Sequence, residues 1–286
     1  MQRYGPQKTQ NYNYNDSLLK FMQSCDEYVA RLAIFNKFII WRYTIGSASV
    51  NYVLIFNKIG DNAPRWTYLF FKYHNNTFGG KQIDQDFKDF KWYFINPEAF
   101  NNLSLNEQIR ISSTIINKYI KRLQNIILGA PKTTGKFHVF KVAPSYPGLP
   151  SRGSSLPVDV LQLPFNSTTI NPYFNFAPFI ASNADGNLFD ITIPSGSVCL
   201  FIPQDYHAYN FELEIILPFG SKFHITNIRQ SNFDYVDPKS VNTVTVQNVN
   251  KIIVGPVYEI NEYVPCTNGC IIQEKPFTVY DTILLF

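Results

Sequence analysis

Two glutamates stand two residues apart in Asn210-Phe-Glu212-Leu-Glu214-Ile-Ile-Leu217, and Pro218-Phe-Gly-Ser-Lys-Phe-His-Ile225 follows. On a strand, residues two apart share a face. Glu212 and Glu214 then project together, while Phe211, Leu213, Ile215 and Leu217 turn toward a core. Two carboxylates ~6–7 Å apart can divide the roles of acid and base when their surroundings differ. The same pattern also describes a half-buried strand with a solvated acidic edge, so the pair alone leaves both readings open. Other motifs carry less. Gly129-Ala-Pro-Lys-Thr-Thr-Gly135-Lys136 looks like a phosphate-binding loop, but it has one residue too many between its glycines. It also puts Phe137 where Ser or Thr would hold magnesium. His74, His138, His207 and His224 are dispersed. Cys266 and Cys270 have no second Cys/His pair to complete four ligands, so no metal is expected, and the two read as free thiols or a small loop disulfide.

The elements that would hold such a strand can be read from periodicity and capping. The chain has 286 residues, 45% hydrophobic, 16% aromatic and 16% charged. That composition excludes intrinsic disorder and favours strands and thick cores. Residues 1–16 read as a polar arm. Asp16 or Ser17 can cap a helix through Leu18, Met22, Val29, Leu32, Phe35 and Ile39, broken by Thr44–Asn51. Residues 52–56 fit a strand or a buried helix equally. Residues 57–100 read as an irregular insertion with one or two short helices. Ser104-Leu-Asn-Glu107 is a capping box, and Leu105, Ile109, Ile116, Ile120, Leu123 and Ile127 form the stripe of a helix stopped by Gly129 and Pro131. From Phe137 the period changes to short strands at 137–142, 161–166, 188–193, 198–202, 211–217, 222–228, 243–247, 250–259 and 276–285. The expected fold class is α+β: a mainly helical lobe, 17–130, then an antiparallel β-sandwich, 131–286.

Glu-x-Glu, three aliphatics, Pro, then Gly-Ser-Lys-Phe closely resembles the catalytic strand of mono-ADP-ribosyltransferases of the Arg–Ser–Glu type. Bacterial binary-toxin enzymatic components and arginine-specific ecto-enzymes belong to that group. Phe165-Asn-Ser167-Thr168-Thr169 looks like the family's Ser-Thr-Ser/Thr strand. Ala130-Pro-Lys-Thr-Thr-Gly-Lys-Phe-His-Val-Phe-Lys141 is similar to the lead into its first core strand. Arg42-Tyr-Thr-Ile-Gly-Ser-Ala-Ser-Val-Asn51 resembles its Tyr-Thr-Gly…Ile-Asn element. The resemblance covers about residues 18–260. Where the family's first core strand usually ends in Tyr-Arg, this chain has Phe140-Lys141, which keeps a positive charge but not a bidentate fork.

The resemblance implies an ADP-ribosyltransferase core that takes NAD as substrate and transfers ADP-ribose to a protein side chain. Glu214 would stabilise the oxocarbenium-like sugar, and Ser167 would orient Glu214. Thr168 and Thr169 would shape the nicotinamide pocket. Lys141 would bind the pyrophosphate, with Arg152 reaching back from its loop as a substitute or remaining a solvated cation. Glu212 in its place goes with arginine acceptors, because a carboxylate can pair with a guanidinium and take its proton. The segment 203–210, with Tyr206 and Tyr209, would face the target protein or pack its own loop. The alternative is a catalytically weak or inactive protein of the same fold with a structural or binding role, such as a virion component. Toxin or viral assembly partners follow from these two readings. Net charge is +4 with no basic stripe, which argues against nucleic acid. No apolar run reaches the ~18–20 residues of a membrane span. No secretory leader opens the sequence, so the expected location is cytoplasmic or packaged in a virion.

Overall fold

A computed structural model describes residues 16–78, 83–143, 149–170, 187–206, 213–236, 243–246, 260–263 and 272–285. The helices come first. α1 (Asp16–Arg31) buries Leu18, Phe21, Met22, Cys25 and Val29 along one stripe. α2 (Ile34–Ile45) buries Phe38 through Tyr43 without interruption. The sequence suggested one helix to Ile39. Instead Ala33 takes an extended ψ of 148° and starts a second helix, apolar almost all round, that runs into the core. α3 (Ala48–Phe56) settles residues 52–56 as helix.

The stretch read as an irregular insertion is more regular than expected. α4 (Ala63–Phe78) occupies much of it, followed by a 3₁₀ turn at Gln85–Phe90 and the short helices α5 (Lys91–Ile95) and α6 (Pro97–Asn101). Trp66, Phe70 and His74 recur every four residues and are buried, a stripe that outweighs the turn signal of His74-Asn-Asn. Phe70 meets Phe38 at 5.2 Å and Phe94 at 5.7 Å between ring centroids. Such tilted ring contacts suit the aromatic quadrupole.

α7 (Leu105–Leu128) is the longest helix, and its capping box is complete. The Glu107 N–H donates to Ser104 Oγ at 3.4 Å, and the Ser104 N–H donates to the Glu107 carboxylate at 3.3 Å. Ile116, Ile120, Leu123 and Ile127 are buried as expected, while Leu105 and Ile109 are exposed because the first turns of α7 project from the core.

Among the described residues ten strands follow: β1 (Phe137–Ala143), β2 (Val158–Gln162), β3 (Asn166–Thr169), β4 (Asn187–Ile193), β5 (Leu200–Phe201), β6 (Glu214–Leu217), β7 (Ser221–Val236), β8 (Thr243–Val246), β9 (Ile260–Tyr263) and β10 (Ile272–Leu285). Eight form one sheet in the order β2-β7-β10-β4-β1-β3-β6-β5, and β8 pairs with β9. Every pairing is antiparallel except β4 with β10. The α+β arrangement read from the sequence is what the structure shows. The run 161–166 proves to be the end of β2 and the start of β3, separated by Leu163-Pro164-Phe165. The run 250–259 lies outside the described residues.

One core joins helices to sheet. Phe21 of α1 stacks on Phe137 of β1 at 5.5 Å. Phe137, Val139 and Lys141 alternate onto that same helix-facing side of β1. Phe140 and Val142 face the other way, into a smaller cluster with Leu188, Phe277 and Val279. Replacing Ser104 by Ala removes the cap of α7 and is expected to lower unfolding free energy by about 1 kcal/mol, measured by urea denaturation.

Candidate functional site

Glu214 opens β6 and is buried, with 3% of its surface exposed. Its backbone is held from both sides. The Ile202 N–H donates to the Glu214 carbonyl at 3.0 Å, and the Ile170 N–H donates to the Leu213 carbonyl at 3.3 Å. Between them Leu213 adopts a φ of 46°, left-handed backbone for a branched residue. Such conformations cost about 1–3 kcal/mol and persist where the surroundings enforce them, often at functional sites. Here Ile170, just past β3, on one side and Ile202, just past β5, on the other supply that enforcement. β6 itself is buried at all four positions.

Three side chains from distant elements lie within electrostatic reach of Glu214. Tyr43 of α2 and Tyr119 of α7 are both buried. Burial pushes the Tyr43 hydroxyl above its ordinary range and the charge of Glu214 adds to this, while hydrogen bonds with Asn51 and Ser47 oppose it. The Tyr43 hydroxyl also donates to the Phe165 carbonyl at 3.4 Å. Tyr119 is likewise pushed up, first by burial; Arg42 pulls it down, and Tyr43 and Glu214 push it further up. The third is Lys141, half-buried on β1. Its burial lowers it to about 8, with Glu214 pulling the other way. Its Nζ donates to the Ser167 carbonyl at 3.4 Å.

The strand between Lys141 and Glu214 is β3, which carries the hydroxyls named from the sequence. The β3–β6 register sets Thr169 directly opposite Glu214 and Ser167 opposite Ile216. Thr168 is fully buried, and its hydroxyl donates to the Ile215 carbonyl at 2.7 Å. The structure therefore gathers Glu214, Lys141, Ser167, Thr168 and Thr169 on three adjacent strands. Arg152 is exposed on a turn and forms no ion pair with a described residue. Glu212, Tyr209, His207, Cys266 and Cys270 lie outside the described residues. Tyr206 is half-buried, with the Lys37 ammonium 5.4 Å from its ring centroid. His138 and His224 pair with Asp190 and Asp159 at 2.8 and 2.6 Å, and His74 is buried among Phe35, Phe38 and Phe94. Among the described residues no cluster of three or more His, Cys, Asp or Glu could hold a metal ion. No described helix is long and apolar enough to cross a membrane.

Sequence reading missed Tyr119 and undervalued Tyr43. Tyr119 lies beside Ile120 on the buried stripe of α7, and its period marked it as core without indicating a carboxylate neighbour. Tyr43 stands just before the helix break read at Thr44–Asn51, in a segment singled out by its resemblance and given no role.

No protein-family model and no curated protein matches the chain. Solved structures do. Plx2a, an ADP-ribosyltransferase toxin from Paenibacillus larvae, is similar over 94% of this chain and 95% of its own, at 11% identity and a TM-score of 0.49. C3stau2 from S. aureus, solved with NAD, is similar over 97% of this chain and 98% of its own, at 13% identity and a TM-score of 0.46. BECa, an ADP-ribosylating toxin of a C. perfringens binary enterotoxin solved with NADH, matches over 94% of this chain at 13% identity and a TM-score of 0.48. The chain spans 48% of BECa, about half its length.

Lys141 makes a testable contribution to stability. A lysine held lower in the folded than in the unfolded chain destabilises the fold while both forms are charged. The penalty fades between the folded value, about 8, and the ordinary value of 10.5. Lys141→Met is therefore expected to be more stable than the parent at neutral pH. The gap should narrow across that alkaline window, as read by thermal melts at several pH values.

Proposed function

We propose that the chain is an NAD-dependent mono-ADP-ribosyltransferase acting on a protein side chain, with arginine as the acceptor. One observation carries the reading. A buried strand-opening carboxylate, Glu214, is electrostatically coupled to a half-buried cation, Lys141, with β3 and its hydroxyl side chains as the strand between theirs. A carboxylate, a cation and hydroxyls on adjacent strands suit a positively charged sugar next to a diphosphate. The resemblance of the Glu-x-Glu and Ser-Thr-Thr segments points to the same donors.

NAD would supply the ADP-ribosyl group and nicotinamide as leaving group. Glu214 would face the positive charge that develops at the sugar as the C–N bond breaks and nicotinamide departs with the bonding electron pair. It stands in a dry setting where fixed charge acts most strongly. Tyr43 and Tyr119 keep water from that carboxylate. Ser167 and Thr169 flank it from β3, and Lys141 would answer the diphosphate as a point charge. Glu212 would take the proton that the attacking guanidinium loses as the new C–N bond forms.

A second reading, a scaffold that binds without transferring, is favoured by one observation: Glu214 is only 3% exposed and two buried tyrosines stand beside it. Titration calorimetry separates the two, because a pure scaffold takes up no NAD.

Incubation with labelled NAD and an arginine-rich acceptor should give labelled protein. Glu214→Gln should lower the rate by ~10²–10³, the usual loss when one preorganised group is removed. Equal labelling by both proteins, or neither labelling nor NAD hydrolysis by the parent, overturns the reading. NAD affinity should fall as pH rises through about 8, because Lys141 loses its proton there. In Lys141→Arg the fall should vanish from that range, since guanidinium keeps its charge.

A further inference from the structure

Arg42 is a buried cation that the proposed chemistry does not use. It lies on α2, 2% exposed, directly before Tyr43. Burial lowers its guanidinium only to about 10, so it stays charged at neutral pH. Among the described residues no carboxylate forms an ion pair with it, and its Nε finds no acceptor. A buried, unpaired charge is costly, so its contacts need a reason.

Those contacts converge on one corner of the backbone. The Arg42 guanidinium lies 4.6 Å from the Trp66 ring centroid and 5.7 Å from that of Tyr73. Its Nη1 donates to the Gly46 carbonyl at 3.5 Å and its Nη2 to the Trp66 carbonyl at 3.4 Å. The Trp66 indole N–H donates to the same Gly46 carbonyl at 2.8 Å. Gly46 is the link between α2 and α3. Ser47 follows it and Asn51 lies one turn on, and both are polar neighbours that temper the upward push of burial on the Tyr43 hydroxyl. Tyr43 in turn bonds the Phe165 carbonyl, the residue that leads into β3 opposite β6. Trp66 also meets Tyr119 at 5.1 Å, edge to face. From the guanidinium, two short chains of contact therefore end at the two tyrosines beside Glu214.

We infer that Arg42 is a positioning residue: its planar guanidinium, clamped with Trp66 on the Gly46 carbonyl, fixes the α2–α3 corner so that Tyr43 and Tyr119 stay seated against the Glu214 strand. This rests on the transferase reading for its catalytic consequence, but the clamp itself is a property of the fold. A stacked, two-carbonyl clamp needs the flat fork of arginine, and a lysine ammonium of equal charge cannot reproduce it. Displacements of about 1 Å in such supports can cost ~10²-fold in rate.

The test uses the full chain with Arg42→Met, Arg42→Lys and Trp66→Phe. The last keeps an aromatic ring at the position but trims the indole and removes its N–H donor, a milder change that keeps the test open if the arginine variants fail to fold. For each folded variant kcat should drop tenfold or more, while the KM for NAD stays within about twofold of the parent. Lysine should not rescue. Hydrogen exchange read by mass spectrometry should accelerate in Trp66→Phe both at peptides covering 45–51 and at peptides covering 214–217. Full rescue by lysine shows that charge alone matters and overturns the clamp. So does faster exchange confined to the corner, or an unchanged kcat in all folded variants. A parent protein inert toward NAD sinks the transferase reading instead, and the exchange experiment then decides the clamp by itself.

Discussion

A carboxylate withdrawn from water needs positive charge or donors around it, or it is destabilising. Glu214 meets that need at the seam between helices and sheet, and the site follows from how it is met. Lys141 supplies the nearby charge, yet its own burial outweighs the attraction of Glu214 and leaves it near 8 rather than above its usual value. Lys141 is therefore held at a cost. A cation held in this way has unused attraction for an anion, and a diphosphate arriving beside it would relieve the penalty.

The seam exists because two kinds of element share one apolar volume. α2 is buried through Tyr43, α7 presents Tyr119 from its inner stripe, and β1 turns Phe137, Val139 and Lys141 toward them. β6 is too short to fix a side chain unaided. It is held by pairing with β3 and β5 and by the bonds that fasten Leu213 and Glu214 just before and at its start. The positive φ at Leu213 is sustained by those same bonds. Loosening either neighbouring strand would free the carboxylate, so the precision of the site is a property of the sheet edge and of the helices packed on it.

Some of this was readable in the chain and some was not, for identifiable reasons. The capping box of α7 is local chemistry, three residues wide, and was legible outright. The change of period after Pro131 separated helical from strand-rich regions. Residues 52–56 could not be resolved, because a five-residue apolar run has the same pattern in a buried helix as in a buried strand. α4 was obscured by aromatic, Asn and His residues that individually disfavour helix but are overridden by packing of Trp66, Phe70 and His74. Glu214 and Lys141 were found through their segments. The pairing of Thr169, rather than Ser167, directly with Glu214 was not, since register between strands distant in sequence depends on long connections that carry no short-range signal. Arg42 and Tyr43 were legible only as part of a family-like segment and Tyr119 was not singled out, because their relation to the carboxylate arises in three dimensions.

The two buried cations differ in a way that matters for how such a site responds. Lys141, on the helix-facing side of β1, is lowered by burial to about 8, whereas Arg42 stays charged and is locked onto backbone carbonyls. The first can gain or lose a proton as an anion comes and goes, so its charge is conditional on what is bound. The second cannot, so its contribution is geometric. A chain with only 16% charged residues that places a half-buried lysine near Glu214 and a buried arginine on the α2–α3 corner has separated ligand response from scaffold rigidity. That separation explains why exchanging lysine for arginine at one position, or arginine for lysine at the other, would not be conservative: each residue holds the property the other lacks.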